Sequence, residues 1–511
     1  MKPTRREILR YAGLSSAGLL LPVVESSCIP RPESRVLSSL TELPRPFEVA
    51  LPILSVLKPV RTDDGTDFYD VTARHANGQI LPGMKTPIWG YDGMFPGPTI
   101  EAQTGHRVSL RLRNALSVPI VNHLHGGRTS PDSDGYPTDL ILPAGGFPQS
   151  HMHDPKARTS EGEREYLYSN DQRAATLWYH DHRMDFTAPQ VWRGLAGFYI
   201  LRDAEEERLP LPRGDKEITL MICDRSFEAD GSFRYPALDA SLRETSGVSA
   251  AYMGGVLGDV ILVNGAPWPR LEVANVKYRF RILNASNARR YELGLNPTPR
   301  GAAPFVQIGS DGGLLAAPIT HRTVRIAPSE RFDLVIDFSK VPLGSKVALV
   351  NQAGDGNTGL IMRFDVTRTE RDESNIPARL SDPSFARPED AVISRVFDFS
   401  YQRASHSWRI NGKPYDPDRM DARPRLDTTE IWTLQSDFSH PLHLHLVHFQ
   451  ILGHSGRPGL FDAGWKDTID MSPGQTANIL IRFAGYRGRY VFHCHNLEHE
   501  DMSMMGNFEV V

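Results

Sequence analysis

Four histidine pairs, His123/His125, His180/His182, His443/His445 and His493/His495, share the spacing His-x-His and hold eight of the chain's 18 histidines. In an extended strand, side chains alternate between faces, so residues i and i+2 point the same way. Each pair therefore offers two imidazoles to one side, as a polynuclear metal site requires. One such pair is weak evidence, because an isolated pair is more often surface or core histidine. Here all four lie in apolar or aromatic strand contexts, "IVNHLHGG", "LWYHDH", "PLHLHLVHF" and "YVFHCH". A fifth pair, His151/His153 in "PQSHMHDP", lies in a polar, Pro-flanked loop and reads as solvated surface, with an accessory metal as the alternative.

The body that carries these pairs reads as all-β. Short runs of Val, Ile, Leu, Tyr and Phe alternate with Gly, Pro, Asn and Asp turns, and long 3.6-period stretches are scarce. "FPGPTIEAQTGHRVSLRLRNAL" (95–116) recurs as "VNGAPWPRLEVANVKYRFRILNAS" (263–286) and, more weakly, as "INGKPYDPDRMDARPRLDTTEIWTLQS" (410–436). Each copy is a Pro-containing loop followed by a strand of alternating polarity. Repeats about 150 residues apart predict three β-sandwich domains in a 511-residue chain rather than a solenoid. The charged linkers "DAEEERLPLPRGDKE" and "VTRTERDESNIPARLSDPSFARPED" divide it into 1–44 as leader, then 45–205, 206–375 and 376–511.

Only three cysteines occur, Cys28, Cys223 and Cys494, too few for a disulfide scaffold. Cys223, in "ITLMICD", reads as a small core hydrophobe. Cys494 stands between His493 and His495, so strand alternation turns it to the opposite face. The chain continues to His499 and Met504 with the pattern C-x4-H-x4-M. A thiolate, two imidazoles and a weak axial thioether make a mononuclear copper site. His440, in "HPLHLH", supplies the second imidazole. Alternation also puts Met502 and Met504 on one face and Met505 on the other, and the x4 spacing favours Met504. One strand then serves two sites, with a thiolate on one side and a histidine cluster on the other.

"HLHGG", "WYHDH", "HPLHLH" and "HCHNLEHEDMSMM" resemble the motifs of the multicopper oxidases, from about residue 45 to the end. "LEHED", and Leu446-Val447 where many members have Gly-His, are most similar to the branch of spore-coat laccase, bilirubin oxidase and phenoxazinone synthase. The resemblance implies three tandem cupredoxin-like Greek-key domains and four copper ions. It implies a type 1 copper on His440, Cys494, His499 and Met504, and a type 2 copper on His123 and His443. The type 3 pair would take His125, His180, His182, His445, His493 and His495. The cluster would then bridge the first and last domains, with the middle one as spacer and wall of the substrate site. His75, His106, His321, His406, His448 and His454 match no ligand position and read as structural or surface.

The activity so implied is one-electron oxidation of phenols, aminophenols or bilirubin-type pigments, coupled to four-electron reduction of O2 to water. His499 would receive electrons, since its imidazole edge reaches the surface in relatives. Glu500 and Asp134 match acids that relatives place near the cluster. Strand alternation would turn Glu500 toward it, while Asp134 also reads as a turn former and Glu500 as a prop for a ligand. A cuprous oxidase is the alternative, but the 13 methionines are scattered apart from the C-terminal group. A copper-free scaffold would lack the ligands that this chain retains.

A formal charge of −4 points to no nucleic-acid partner. "TRREILR" with the short apolar run "YAGLSSAGLLLPVV" reads as a twin-arginine signal, so the chain should meet that export machinery and work in the periplasm or outside the cell. The run is too short and too rich in Gly and Ser for stable membrane insertion. Cys28 could be lipidated, although Glu25 stands where an apolar residue is wanted. Lysine does not reproduce arginine's fork of donors. Arg5→Lys with Arg6→Lys should therefore leave folded protein inside the cell, and fractionation showing normal export would point to a different signal.

Overall fold

In the computed structural model, residues 33–151, 154, 156–299 and 303–511 are described; Arg5, Arg6, Cys28 and His153 lie outside them. The predicted short strands form, and they stack as pairs of sheets around apolar interiors. The chain is all-β apart from a few short helical turns.

The sequence repeat reappears as a repeat of topology. Thr66–Gly78 pairs in parallel with Arg107–Asn114, Glu217–Phe227 with Lys277–Asn284, and Ala391–Gln402 with Thr429–Ser436. The second strand of each pair is the alternating strand of one repeat copy. Each copy also has a facing sheet, built on Gly97–Gln103, Arg270–Ala274 and His440–Leu444 respectively.

The interiors are not three separate cores. Trp178, Phe198 and Ile200 of the first copy pack into the cluster that fills the middle copy, beside Ile222, Leu262 and Phe280. Cys223 is a buried member of that cluster, as a small hydrophobe should be. The leader boundary also shifts. Arg35–Leu37, expected in the leader, forms a parallel strand with Val256–Gly258, and Leu37 is buried. Backbone hydrogen bonding thus holds this segment to the middle copy. Among the described residues, no helix is long and apolar enough to cross a membrane.

Two polar devices tie the last third to the earlier ones. Asp501 accepts the backbone N–H groups of Thr187 (2.8 Å) and Ala188 (2.9 Å), which open the short helix Thr187–Arg193. Arg331, fully buried, donates to the Thr176 carbonyl, the Ser329 carbonyl and both carboxylate oxygens of Asp467. Burial alone would raise the Asp467 carboxyl, but Arg331 more than offsets it and holds the group below the usual range. Removing one partner of a buried pair strands the other charge. Arg331→Met should therefore lower stability by about 3–5 kcal/mol, read from the unfolding midpoint, with part of the loss restored by adding Asp467→Asn.

Candidate metal centre

Strand register assembles the site. Asn122–His125 pairs antiparallel with Ala175–Asp181, setting His123 opposite His180 and His125 opposite Trp178. His440–Leu444 pairs antiparallel with Gly488–Cys494, setting His443 opposite His493 and Leu442 opposite Cys494. Residues directly opposite share a face. His443 and His493 therefore look one way, while Cys494, Leu442 and, two residues back, His440 look the other.

On the first face all eight paired histidines meet, each at most 1% exposed. The nitrogens of His182, His445 and His493 converge, with Nε2 atoms 3.2–3.3 Å apart. His123, His125 and His180 form a second group of converging nitrogens. The His495 ring lies 5.1 Å from that of His125 and 5.3 Å from that of His180.

The outer nitrogens explain which atoms face inward. Nδ1 of His123 lies 2.6 Å from the Asp134 carbonyl, Nδ1 of His180 2.8 Å from the Asp181 carbonyl, and Nδ1 of His443 2.8 Å from the Asp467 carbonyl. Nδ1 of His445 lies 2.7 Å from Asp134 Oδ2. His125 is turned over: its Nε2 lies 3.1 Å from Asp467 Oδ1. Carbonyl oxygens and the ionised Asp467 carboxylate only accept, so the nitrogens of His123, His125, His180 and His443 that face them carry the hydrogens and the opposite ones keep free lone pairs. Among the described residues, Nε2 of His123, His180 and His443, Nδ1 of His125, and both nitrogens of His495 are buried without a hydrogen-bond partner. Buried lone pairs aimed at one another are costly unless a cation lies between them.

Titration agrees. Burial, reinforced by mutual repulsion, holds His123, His125, His182, His445 and His495 well below the usual histidine range, and His180 falls to about 3. The rings are neutral, which is the form that binds metal.

On the opposite face, Cys494 Sγ lies 3.3 Å from His440 Nδ1 and 3.7 Å from His499 Nδ1, and those two nitrogens are 3.1 Å apart. Burial pushes the thiol well up, only partly opposed by the Asn496 N–H that donates to the sulfur. A thiolate here needs a bound cation. Met504 is fully buried in the same apolar cluster as Cys494, whereas Met502 is half-buried and Met505 belongs to a different cluster. The donors present on both faces thus fit copper: nitrogen on one side, nitrogen, thiolate and thioether on the other.

Two expectations need correction. Leu497–Asp501 is helical rather than extended, so alternation does not govern His499, Glu500, Met502 and Met504. Glu500 nevertheless reaches the histidine face from this helix, with oxygens 3.3 Å from His182 Nδ1 and 3.0 Å from His493 Nδ1, neither aligned as a hydrogen bond. His499 presents no edge to solvent. It is 1% exposed, its ring is stacked at 3.7 Å on Trp408, and its Nε2 lies 3.2 Å from Asn496 Nδ2. Asp134 does cap the short turn Pro131–Ser133, yet it is fully buried; burial raises its carboxyl well above the usual range, opposed by the Thr129 hydroxyl.

Sequence reasoning missed Asp467, which orients two cluster histidines through its carbonyl and its side chain. Its context, "WKDTID", carries no spacing signal. Leu446, noted for standing where many relatives have glycine, adopts φ +67°, a conformation natural to glycine, directly after His445. The unmatched histidines have other partners. His321 meets Gln307, His454 meets Asp462, His106 meets Asp67, His406 meets Tyr401, His75 packs edge-on to Trp89, and His448 lies 3.7 Å from Asp467. His151 lies 3.3 Å from Glu244.

Comparison with known proteins points the same way. Two family profiles, both described as multicopper oxidase, match residues 72–206 and 387–511. A laccase of Bacillus subtilis is 36% identical over 91% of this chain and 98% of its own. A bilirubin oxidase of Albifimbria verrucaria is 34% identical over 90% of this chain and 81% of its own. A crystal structure of a laccase from Pediococcus acidilactici superposes with a TM-score of 0.80 at 31% identity, covering 93% of this chain and 96% of the other.

Asp134 holds two cluster histidines, one by its carbonyl and one by its carboxylate. Asp134→Ala keeps the first contact and frees the His445 ring. The expected result is about 10–100-fold weaker retention of metal on the histidine face, measured by chelator competition, with the thiolate-side absorption preserved.

Proposed function

The chain belongs to the multicopper oxidase family, in its laccase and bilirubin oxidase branch, and from that premise we propose how its residues divide the work. It is a copper oxidoreductase that couples one-electron oxidation of phenolic, aminophenolic or bilirubin-type substrates to reduction of O2 to water. Our assignment gives it four copper ions. His440, Cys494, His499 and Met504 would hold type 1, and His123 and His443 would hold type 2. His125, His180 and His495 hold one type 3 ion, and His182, His445 and His493 hold the other. When bound, the coppers supply the one-electron steps between the organic reductant and O2.

The observation that carries this reading is the two-faced strand. Cys494 faces His440 and His499, while its neighbours His493 and His495 face the other cluster. The thiolate ligand is thus covalently continuous with ligands of the second site, a short path between them. In this reading three cupredoxin-like domains, near 45–205, 206–375 and 376–511, carry the ligands at the two ends and a spacer between. Export by the twin-arginine route to the periplasm or beyond belongs to the same proposal and rests on Arg5 and Arg6. The scattered methionines disfavour a dedicated cuprous oxidase, which would need soft thioethers gathered on its surface.

Glu500 and Asp134 are proposed to supply protons. Reducing O2 to two waters consumes four protons in a site dense with positive charge, where free hydronium is repelled. Glu500 is buried, within 3.3 Å of two cluster imidazoles, and its oxygens have no aligned hydrogen bond among the described residues. It is therefore free to take a proton from one water and pass it to another. Glu500→Gln preserves shape but not the relay. In stopped-flow experiments the variant should stay blue and be reduced by substrate at nearly the normal rate. Its reoxidation by O2 should slow by about tenfold or more. Unchanged reoxidation would reduce Glu500 to a prop for its two histidines.

A further inference from the structure

Arg128, three residues after His125, and Leu446, Val447 and His448, directly after His445, line a cavity of about 640 Å3. Trp465, two residues before Asp467, joins them in the lining. The volume falls within the range of small-molecule sites, roughly 300–1,000 Å3. No step of the oxidase reaction uses this cavity.

One side of it is aromatic. The ring centroids of Phe385 and Trp465 lie 5.4 Å apart, with the planes at 40°. Val392 extends this wall, and both Phe385 (43%) and Val392 (61%) are exposed. Gly312 lets the tryptophan stand so close. A Cβ at that position would fall 2.5 Å from the Trp465 Cβ, and the Gly312 N–H donates to the Trp465 carbonyl at 2.8 Å.

The polar side carries cationic donors that the protein leaves unused. Nη1 of Arg173 is buried without a hydrogen-bond partner among the described residues, while its Nη2 lies 3.6 Å from Glu205. Arg128 makes no ion pair among the described residues; its Nη1 donates to the Asp171 carbonyl at 3.3 Å. The carboxylates of the lining are already engaged. Asp382 pairs with Arg379 at 2.8 Å, Asp390 with Arg387 at 2.9 Å, and Asp427 lies 3.9 Å from Arg482. A buried N–H without an acceptor is costly, and a guanidinium fork fits a carboxylate. Aromatic walls take a third ring in an offset or edge-on arrangement.

We propose that this cavity binds small aromatic carboxylates as regulatory ligands. The ring rests on Phe385 and Trp465, and Arg173 and Arg128 hold the carboxylate. His448 couples the occupant to the histidine face. It lines the cavity, and its Nε2 lies 3.7 Å from Asp467 Oδ2. Asp467 in turn holds His125 by its other oxygen and His443 by its carbonyl. An occupied cavity braces that support, so ligand and metal retain each other. The ligand is bound without being oxidised.

Isothermal titration of the copper-loaded protein with 2-naphthoate, a redox-inert probe, tests the site. One molecule should bind per chain and quench tryptophan fluorescence. Arg173→Met should weaken binding about tenfold or more, as should replacing the probe with the neutral 2-naphthalenemethanol. Phe385→Ser, at an exposed position, should weaken it about threefold or more and serves if Arg173→Met does not fold. Saturating 2-naphthoate should slow removal of metal from the histidine face by a chelator about fivefold or more, with the thiolate-side absorption unchanged. The titration reads binding alone, so its outcome is independent of which copper each histidine holds. Absence of saturable binding, undiminished affinity in the variants, or equal affinity for the alcohol would overturn the site. Binding with an unchanged rate of metal loss would overturn its regulatory role.

Discussion

Everything in this molecule depends on the alternation of side chains along Gly488–Cys494 and its continuation into His495. A strand cannot send neighbouring residues to the same side. The triplet His493-Cys494-His495 must therefore separate sulfur from imidazole, and the pairing of Cys494 with Leu442 and of His443 with His493 extends that separation to the next strand. Two donor sets of different softness result, back to back across one backbone. Softness decides which chemistry each favours: a thiolate site for single-electron exchange, an all-imidazole site for an oxygen-binding cluster.

Holding so many imidazoles together requires that they be neutral and aimed. Burial supplies the first condition, since protonated rings at this density and depth are prohibitively costly. Aim comes from the outer nitrogens, which are fixed on the Asp134, Asp181 and Asp467 carbonyls and on two carboxylates. The carboxylates differ in character. Asp467 is kept ionised by Arg331, so it brings negative charge to a site meant for cations. Asp134 lacks such a partner and is pushed toward its neutral form. That difference suits one acid to structural support and the other to proton exchange.

The middle third of the chain holds none of the cluster histidines yet shapes both faces. Arg331 and Asp311 lie in or beside its strands and brace Asp467 from outside. Met253 and Gly254 close the Trp408 and Asn496 side of the thiolate site. A segment expected to be a spacer and a wall of the substrate site thus closes one side of the thiolate site. Its shared core with the first copy fixes those contacts rigidly, because close-packed interiors resist small displacements.

The histidines and cysteine that converge, the all-β class and the threefold repeat were legible in the sequence, because each is a local periodicity. His-x-His in an apolar strand, C-x4-H-x4-M, and a loop-plus-strand unit repeated along the chain all survive without knowledge of packing. What lay beyond reach was set by contacts between distant segments. The helix Leu497–Asp501 is too short to show a 3.6-residue period, yet it directs Glu500 to the cluster and His499 to the sulfur. Asp467 matters only because chain from elsewhere places imidazoles beside it, and a lone aspartate in sequence looks like any other. That His499 is sealed was decided by Trp408, Met253 and Gly254, residues with no sequence relation to it. Composition and spacing determine which atoms can bind metal; only the folded neighbours decide which of them solvent can reach, because exposure is a property of what packs on top.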